Sequence, residues 1–323
     1  TRRWPLGSMP TPKPRNERNA VKKPIAIFAA VAIVVLSAAP AMAFEPEDVD
    51  VAVGVLTAAT LKDWKAKAAK GDLLAPVIVG RACEEGKGTV KNPAEAIKWF
   101  KKAVEYGNPV ASYYLGGMYD VGKGVPQDYK TALRYYRQAA DKGIVAAQDA
   151  VGVFYGSGHG VKTDPAEAVK WHRMAAEKGY APAESNLGYF YQTGMGGLAQ
   201  DYAQAVKWYR LSAEKGEENG QYNLGLLYLR GDGISKNVRE SEKWLRKAAE
   251  QDMPEAQNDL GLVYAMGGDG IVANPVEAYK WLWIASMGGI VRGKPTIDLL
   301  LKQMTQEQIK KVETAGRDWI KAH

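Results

Sequence analysis

A single period runs through most of this 323-residue chain. Aromatic residues recur every 36 or 37 residues, at Trp99, Tyr135, Trp171, Trp208, Trp244 and Trp281. A column of tyrosines keeps the same register, at Tyr119, Tyr155, Tyr191, Tyr228 and Tyr264. A third column is small, at Ala111, Ala147, Ala183, Gly220 and Ala256. Periods of about 20–50 residues are typical of stacked repeats, so the sequence predicts an array of like units.

Each unit reads as two helices. An N-cap acceptor, a proline and a glutamate at N3 occur together at 92–95, 164–167 and 274–277, which predicts helix starts closed by capping boxes. Glycines at 107, 143, 179 and 216 predict the ends, because glycine adopts the left-handed conformation at low cost. Apolar residues at helical spacing give both helices a stripe. One hairpin cannot bury both stripes, but stacked hairpins can.

Both ends of the array depart from the pattern. Counting back one period places Cys83 at the position of Tyr119, so we expect a degenerate first repeat with this cysteine in its core. Near the other end Trp283 and Met287 replace charged residues, and the segment 305–308 reads as the cap of one last helix. The two 37-residue steps predict insertions in the connections near Gly196 and Gly267. We therefore expect a lead-in at 44–59, a solenoid at 60–288 and capping helices at 289–323.

The first 43 residues carry most of the net charge of +7. Seven of the 43 basic residues and one of the 36 acidic residues lie there, so the remainder is nearly neutral. This balance argues against a nucleic-acid partner, which needs many phosphate contacts. Residues 9–43 read as a cleavable signal peptide, with basic residues, an apolar stretch at 25–36 and Ala41-Met42-Ala43. Residues 1–8 read as a vector remnant, and an uncleaved membrane anchor is the alternative for the apolar stretch.

The repeats resemble the Sel-1-like family, a relative of the tetratricopeptide repeats. The resemblance rests on Ala168-Val169-Lys170-Trp171, Ala175-Ala176-Glu177-Lys178-Gly179, Ala183 with Leu187-Gly188, and the loop Gly158-His159-Gly160-Val161. It covers about 250 residues, from roughly residue 60 onward. It implies an all-α, right-handed superhelical solenoid of about six to seven helix-turn-helix repeats, with a concave groove. Family members generally serve as adaptors, regulators or scaffolds.

Two basic columns are the candidate partner-binding residues. They lie three residues apart on the first helices and therefore share a face. The pairs are Lys98 with Lys101, Arg134 with Arg137, Lys170 with Arg173, Lys207 with Arg210, and Lys243 with Arg246. They could bind an acidic protein segment or an anionic glycan. The alternative is charge balanced within the repeats, because glutamates stand three residues before most of the first column.

Enzyme chemistry finds little support in the sequence. The three histidines, His159, His172 and His323, have no metal-ligand spacing, and Cys83 is the single cysteine, so a disulfide within one chain is excluded. Some exported members of the family carry a disulfide in each repeat, and this chain departs from them. His172 is interpreted as a variant of the aromatic position. We expect no catalytic residue, metal or cofactor.

These observations predict a periplasmic or secreted, monomeric adaptor that binds a protein partner in a groove, without nucleic acid and without stable membrane insertion after signal cleavage. The alternative is an accessory protein associated with envelope polysaccharide or peptidoglycan. An enzyme is the less favoured variant of that alternative.

Overall fold

The computed structural model describes residues 45–322, and this range contains sixteen α-helices and no strand. The residues fall into two compact units, 45–178 and 179–322. The predicted remnant (1–8), the signal peptide (9–43) and His323 lie outside the described residues. The predicted all-α repeat fold is confirmed.

Unit 1 contains eight helices: α1 Pro46–Gly54, α2 Ala58–Ala69, α3 Ala75–Glu85, α4 Pro93–Glu105, α5 Pro109–Val121, α6 Tyr129–Ala140, α7 Val145–Ser157 and α8 Pro165–Glu177. Unit 2 contains the other eight: α9 Ala181–Thr193, α10 Tyr202–Glu214, α11 Glu218–Arg230, α12 Val238–Ala249, α13 Pro254–Met266, α14 Pro275–Met287, α15 Lys294–Leu301 and α16 Gln306–Ala322. First helices of the repeats are α4, α6, α8, α10, α12 and α14. Second helices are α3, α5, α7, α9, α11 and α13.

The first helices start as predicted, with one correction. Asn92 caps α4 by accepting from the backbone N–H of Glu95 at 3.0 Å, and equivalent caps begin α8 and α14. The reciprocal half of the predicted capping box is wrong. The backbone N–H of Asn92 donates instead to the carbonyl of Cys83 at 2.7 Å, and the same bond recurs one period later between Asp128 and Tyr119. The cap N–H is therefore already satisfied, and the N3 glutamate turns outward.

Stacking between repeats depends on a large side chain set against a glycine. In unit 1 the Tyr136 ring of α6 lies against Gly116 of α5, where an added Cβ would stand 2.6 Å from the ring. In unit 2 Tyr209 lies against Gly188 in the same way, with 2.8 Å to an added Cβ. The pairing recurs at Gly80, Gly152, Gly225 and Gly261. Only glycine lets the two helices approach this closely.

Other expectations about the repeat pattern are confirmed. The connections 194–201 and 267–274 hold eight residues where the others between repeats hold seven, so the insertions lie where the spacing placed them. Cys83 is buried.

The C-terminal helices follow the prediction in part. Thr305 and Gln308 exchange capping bonds of 2.9 and 3.2 Å at the start of α16. Trp283 packs on Gly316 of that helix, but Met287 is exposed. The expectation that Met287, like Trp283, packs under the C-terminal capping helices is therefore wrong.

Candidate interaction site

The first basic column lies on the surface beside carboxylates of its own helices. Lys98 pairs with Glu95 at 3.0 Å and Lys170 with Glu167 at 2.8 Å, and their side chains are 75% and 70% exposed. Lys243 follows the same pattern at 3.4 Å from Glu240. Arg134 instead lies over the Tyr135 ring at 4.4 Å, and Lys207 over Trp208 at 5.5 Å.

The second basic column is tied to the tyrosines of the second helices. Arg137 donates to the Tyr155 hydroxyl at 3.1 Å, and Arg210 donates to the Tyr228 hydroxyl at the same distance. Arg246 repeats the contact with Tyr264. Lys101 is exposed and Arg173 is half-buried. This geometry favours the interpretation of balanced charge, and a role of these ten residues in partner binding stays a prediction.

The side chains considered for chemistry lie in structural settings. His172 is fully buried against Gly152, and its Nδ1 lies 2.6 Å from an Asp149 oxygen, as expected for a variant of the aromatic position. His159 stacks on the Tyr129 ring with centroids 4.4 Å apart. Burial raises the pKa of the Cys83 thiol, which lowers its reactivity. Within 45–322 no His, Cys, Asp and Glu side chains form a cluster suited to a metal ion.

A second surface was not predicted. It consists of two columns on the second helices, equivalent to Tyr114 and Gly117 of α5, and we call it the second-helix face of each unit. In unit 1 this face is covered by α1. Val49, Ala52 and Val53 of α1 are buried, and α1 packs against α3 and α5.

Polar bonds fix the N-terminal half of α1 at two points. In the middle of the helix Asp50 accepts from Arg81 of α3 at 2.7 Å and from the Tyr114 hydroxyl of α5 at 2.8 Å. The same hydroxyl also lies 2.9 Å from the Pro46 carbonyl. At the N-cap a Glu45 oxygen accepts from the backbone N–H of Val145, the first residue of α7, at 3.2 Å. The carboxylate thus caps a helix that lacks a side-chain cap of its own.

Charge is concentrated where Asp50 meets α3. Arg81 also pairs with Glu84 at 2.8 Å and with Glu85, and Lys123 reaches Glu84 at 2.7 Å. Burial opposes ionisation of Glu84, but Arg81 and Lys123 outweigh it and lower the pKa of this carboxyl. Burial and the nearby Asp50 raise the pKa of the Tyr114 phenol, which stays a hydrogen-bond donor. This cluster accepts one further carboxylate, and α1 provides it.

In unit 2 the same columns hold different side chains, and among the described residues no helix equivalent to α1 lies on α9 and α11. One column presents Tyr189, Leu226 and Leu262 on α9, α11 and α13; Tyr189 is 38% exposed and the two leucines are half-buried. The other column presents Asn186, Asn223 and Asp259. The C-terminal region engages the α13 members of both columns: Leu262 packs in the apolar cluster that includes Leu300, and Arg292 lies 2.9 Å from Asp259. We call the surface of Asn186, Tyr189, Asn223 and Leu226 the open face of unit 2.

One signal in the sequence could have indicated the docking of α1. Val49 and Val53 stand four residues apart, and acidic residues lie before and between them at 45, 47, 48 and 50, which is the pattern of a short amphipathic helix. The sequence by itself indicates only a lead-in, because nothing in this segment identifies the surface that receives it. Among the described residues no helix is both long and apolar enough to cross a membrane.

Comparisons with known proteins agree with the repeat geometry. The Sel1 repeat model matches six consecutive segments, 77–108, 109–144, 145–180, 181–217, 219–253 and 254–289. A Sel1 repeat protein from Oxalobacter formigenes is 31% identical over 71% of this chain and 99% of its own, with a TM-score of 0.63. No curated protein sequence matches the chain.

Two further solved structures are more distant. A protective antigen with an SLR fold, present in uropathogenic Escherichia coli strains, is 24% identical over 91% of this chain and 80% of its own, with a TM-score of 0.37. An immunity protein from Pseudomonas aeruginosa is 17% identical over 71% and 83%, with a TM-score of 0.43. The six family matches and the Oxalobacter likeness show that the chain belongs to the Sel1 repeat family, whose members are generally protein–protein interaction scaffolds.

Proposed function

We propose that this protein is an exported scaffold that binds an amphipathic helical segment of a protein partner on the open face of unit 2. The observation that carries the proposal is the seating of α1 in unit 1. There the same two repeat columns already hold an amphipathic helix, through Arg81 of one column and Tyr114 of the other. A surface type that accepts a helix from its own chain is suited to accept one from a partner.

Variation among the repeats supports this choice of surface. The stacking columns hold nearly constant residues: Leu115, Val151, Leu187, Leu224 and Leu260 are all fully buried. The two columns of the second-helix face change from repeat to repeat, from Arg81 and Gly117 to Tyr189. Positions that do not maintain the stack are free to specify a ligand. In unit 2 they offer aromatic and aliphatic contact area, which suits the apolar side of an amphipathic helix.

The proposed location is the periplasm or the exterior, on the strength of the signal-peptide pattern at 9–43. The role requires neither a cofactor nor a catalytic residue, and we propose a monomer. Cell fractionation of the natural host, with the N-terminal sequence of the mature protein, tests the location. A processed protein outside the cytoplasm is expected, and an unprocessed protein in the membrane fraction would favour the anchor.

A photo-crosslinking amino acid in place of Tyr189 tests the binding surface. We expect crosslinks to one protein, within a segment that forms an amphipathic helix. Tyr106 is the matched control, because it is also a tyrosine and also 38% exposed, but lies at the end of α4. Equal crosslinking at both positions, or at Tyr106 alone, would contradict the proposal.

A second candidate is binding of an anionic envelope polysaccharide along the basic columns. The high exposure of Lys98 and Lys170 favours it, because exposed ion pairs contribute little energy and can exchange partners. Retention on a purified anionic polysaccharide, lost in a K98E/K170E variant and unaffected by Tyr189→Ala, would support this candidate over the helix-binding scaffold.

A further inference from the structure

We propose that α1 is a built-in, displaceable ligand of the second-helix face of unit 1, and that the partner segment accepted there is an acidic amphipathic helix of the same pattern. This inference rests on the proposed function, because it takes the second-helix face to be a helix-binding surface. It adds a second site, names the chemistry of its occupant and gives the site a regulator.

The helix α1 is an addition to the repeat array. The family repeats begin at residue 77, whereas α1 spans Pro46–Gly54 and is joined to α2 by only three residues. The glycine-and-ring stacking that holds the repeats together begins at Gly80 of α3, so it does not involve α1. Release of α1 would therefore leave the packing between repeats intact.

The receiving face selects acidic residues at two points. Arg81 and the Tyr114 hydroxyl converge on Asp50, and the uncapped start of α7 receives Glu45. A partner helix must provide carboxylates about five residues apart to satisfy both points. Without them, a half-buried guanidinium would lose an acceptor and a helix N-terminus would lose its cap.

Beside and beyond Asp50 the face selects small apolar residues. Val49 and Val53 are fully buried, and Ala52 is nearly so. Spacings of three and four residues place them on one side of a helix. The occupant is thus defined as a short helix with an acid at its N-cap, a second acid five residues later, and valine-sized and alanine-sized residues on the docked side.

The short connection between α1 and α2 governs how easily a partner displaces α1. A nine-residue helix is too short to be stable alone in water, so α1 folds only when it docks. Its short connection gives it an effective local concentration on the order of millimolar. A partner must outcompete that concentration, so α1 raises the affinity threshold for binding and excludes weak acidic helices.

A labelled peptide of residues 45–56 tests the inference on the whole chain. Val49→Asp places a charge on the docked side of α1 and should release it. We expect the peptide to bind this variant at least tenfold more tightly than the wild type, and a peptide carrying Asp50→Asn to bind the variant more weakly. Equal binding of the first peptide to both proteins, or binding to neither, would overturn the inference.

Hydrogen exchange of the unaltered protein covers the case in which Val49→Asp does not fold. If α1 is displaceable, amides of residues 48–54 exchange through a local opening, faster than those of α3 and α5. Exchange of all three helices at the rate of global unfolding would overturn the inference.

Crosslinking at Tyr189 is independent of α1. Its success alongside a failed peptide test would leave the scaffold function standing, and the reverse result would leave the unit 1 site standing without it.

Discussion

The second-helix face is formed by the same repeat positions in both units, but the side chains at those positions and the cover over them differ. In unit 1 the columns hold Arg81 and Tyr114, and α1 covers them with its own carboxylate and apolar side. In unit 2 the equivalent positions hold Tyr189 and Asn186, and no helix of the described range 45–322 covers α9 and α11 in this way. The stacking beneath is the same in both. Repeat packing and surface composition are therefore separable here: one set of columns maintains the stack, and another carries the residues that we propose bind a partner.

The largest expected effect is a loss of unfolding free energy that differs between the two units at one repeat position. Arg81→Met removes the shared partner of Asp50, Glu84 and Glu85. Lys123 still neutralises part of the Glu84 charge, but the loss of the half-buried guanidinium should cost about 3 kcal/mol of unfolding free energy. Tyr189→Met, at the equivalent position of unit 2, should cost less than about 0.5 kcal/mol because the side chain is exposed. Urea unfolding measures both. Equal losses of unfolding free energy in the two variants would contradict the view that this position is covered by α1 in unit 1 and exposed in unit 2.

The next effect concerns the close glycine contacts between repeats, which both units share. Gly116→Ala drives a methyl group into the Tyr136 ring and should cost about 2 kcal/mol, and Gly188→Ala should do the same at Tyr209. Gly117→Ala is the matched control, because its added Cβ meets only the Tyr136 hydroxyl, at 3.5 Å. It should stabilise α5 by about 0.5 kcal/mol through helix propensity. Thermal melts compare the three variants, and a stabilising Gly116→Ala would refute the stacking argument.

A smaller effect concerns the hold on α1. Tyr114→Phe keeps the ring but removes the hydroxyl that reaches Asp50 and the Pro46 carbonyl, at an expected cost of about 1 kcal/mol. Tyr222→Phe in α11 loses a comparable 2.9 Å bond to Asp259 and is the control. Only the first variant should speed hydrogen exchange in α1. Faster exchange of α1 in both would show that the effect is not local to unit 1.

The smallest effect is a pH dependence. The pKa of Glu84 lies below its ordinary value of 4.5, so its contribution to stability is complete above that pH and is lost as the pH falls through the lowered value. Glu84→Gln removes this contribution. The stability difference between wild type and variant should be constant between pH 6 and 7 and should narrow below about pH 4. A difference that widens on acidification would reverse the assigned direction.

The repeat fold could be predicted because its signals are periodic. Trp171, Tyr155 and their equivalents recur in register, and the insertions in two connections follow from counting. The capping box could not be judged correctly, because the N–H of Asn92 bonds to Cys83 in the preceding helix, a contact set by tertiary packing.

The interaction surface was harder to predict for a similar reason. The basic columns are visible as a sequence pattern, but their contacts with Tyr155 and Tyr228 lie 18 residues away across the helix pair. The docking of α1 joins Glu45 to Val145, 100 residues apart, and no local pattern encodes that distance. Non-periodic, long-range contacts therefore decide the surface, while the periodic ones decide the fold.

Hydroxyl-radical footprinting of the intact protein tests the central claim most directly. Side-chain oxidation measured by mass spectrometry should be strong at Tyr189 and weak at Tyr114, which is only 8% exposed. In the Val49→Asp variant, oxidation of Tyr114 should rise severalfold while that of Tyr189 stays unchanged. Equal protection of the two tyrosines in the wild type would contradict an account in which one face is covered and its counterpart is open.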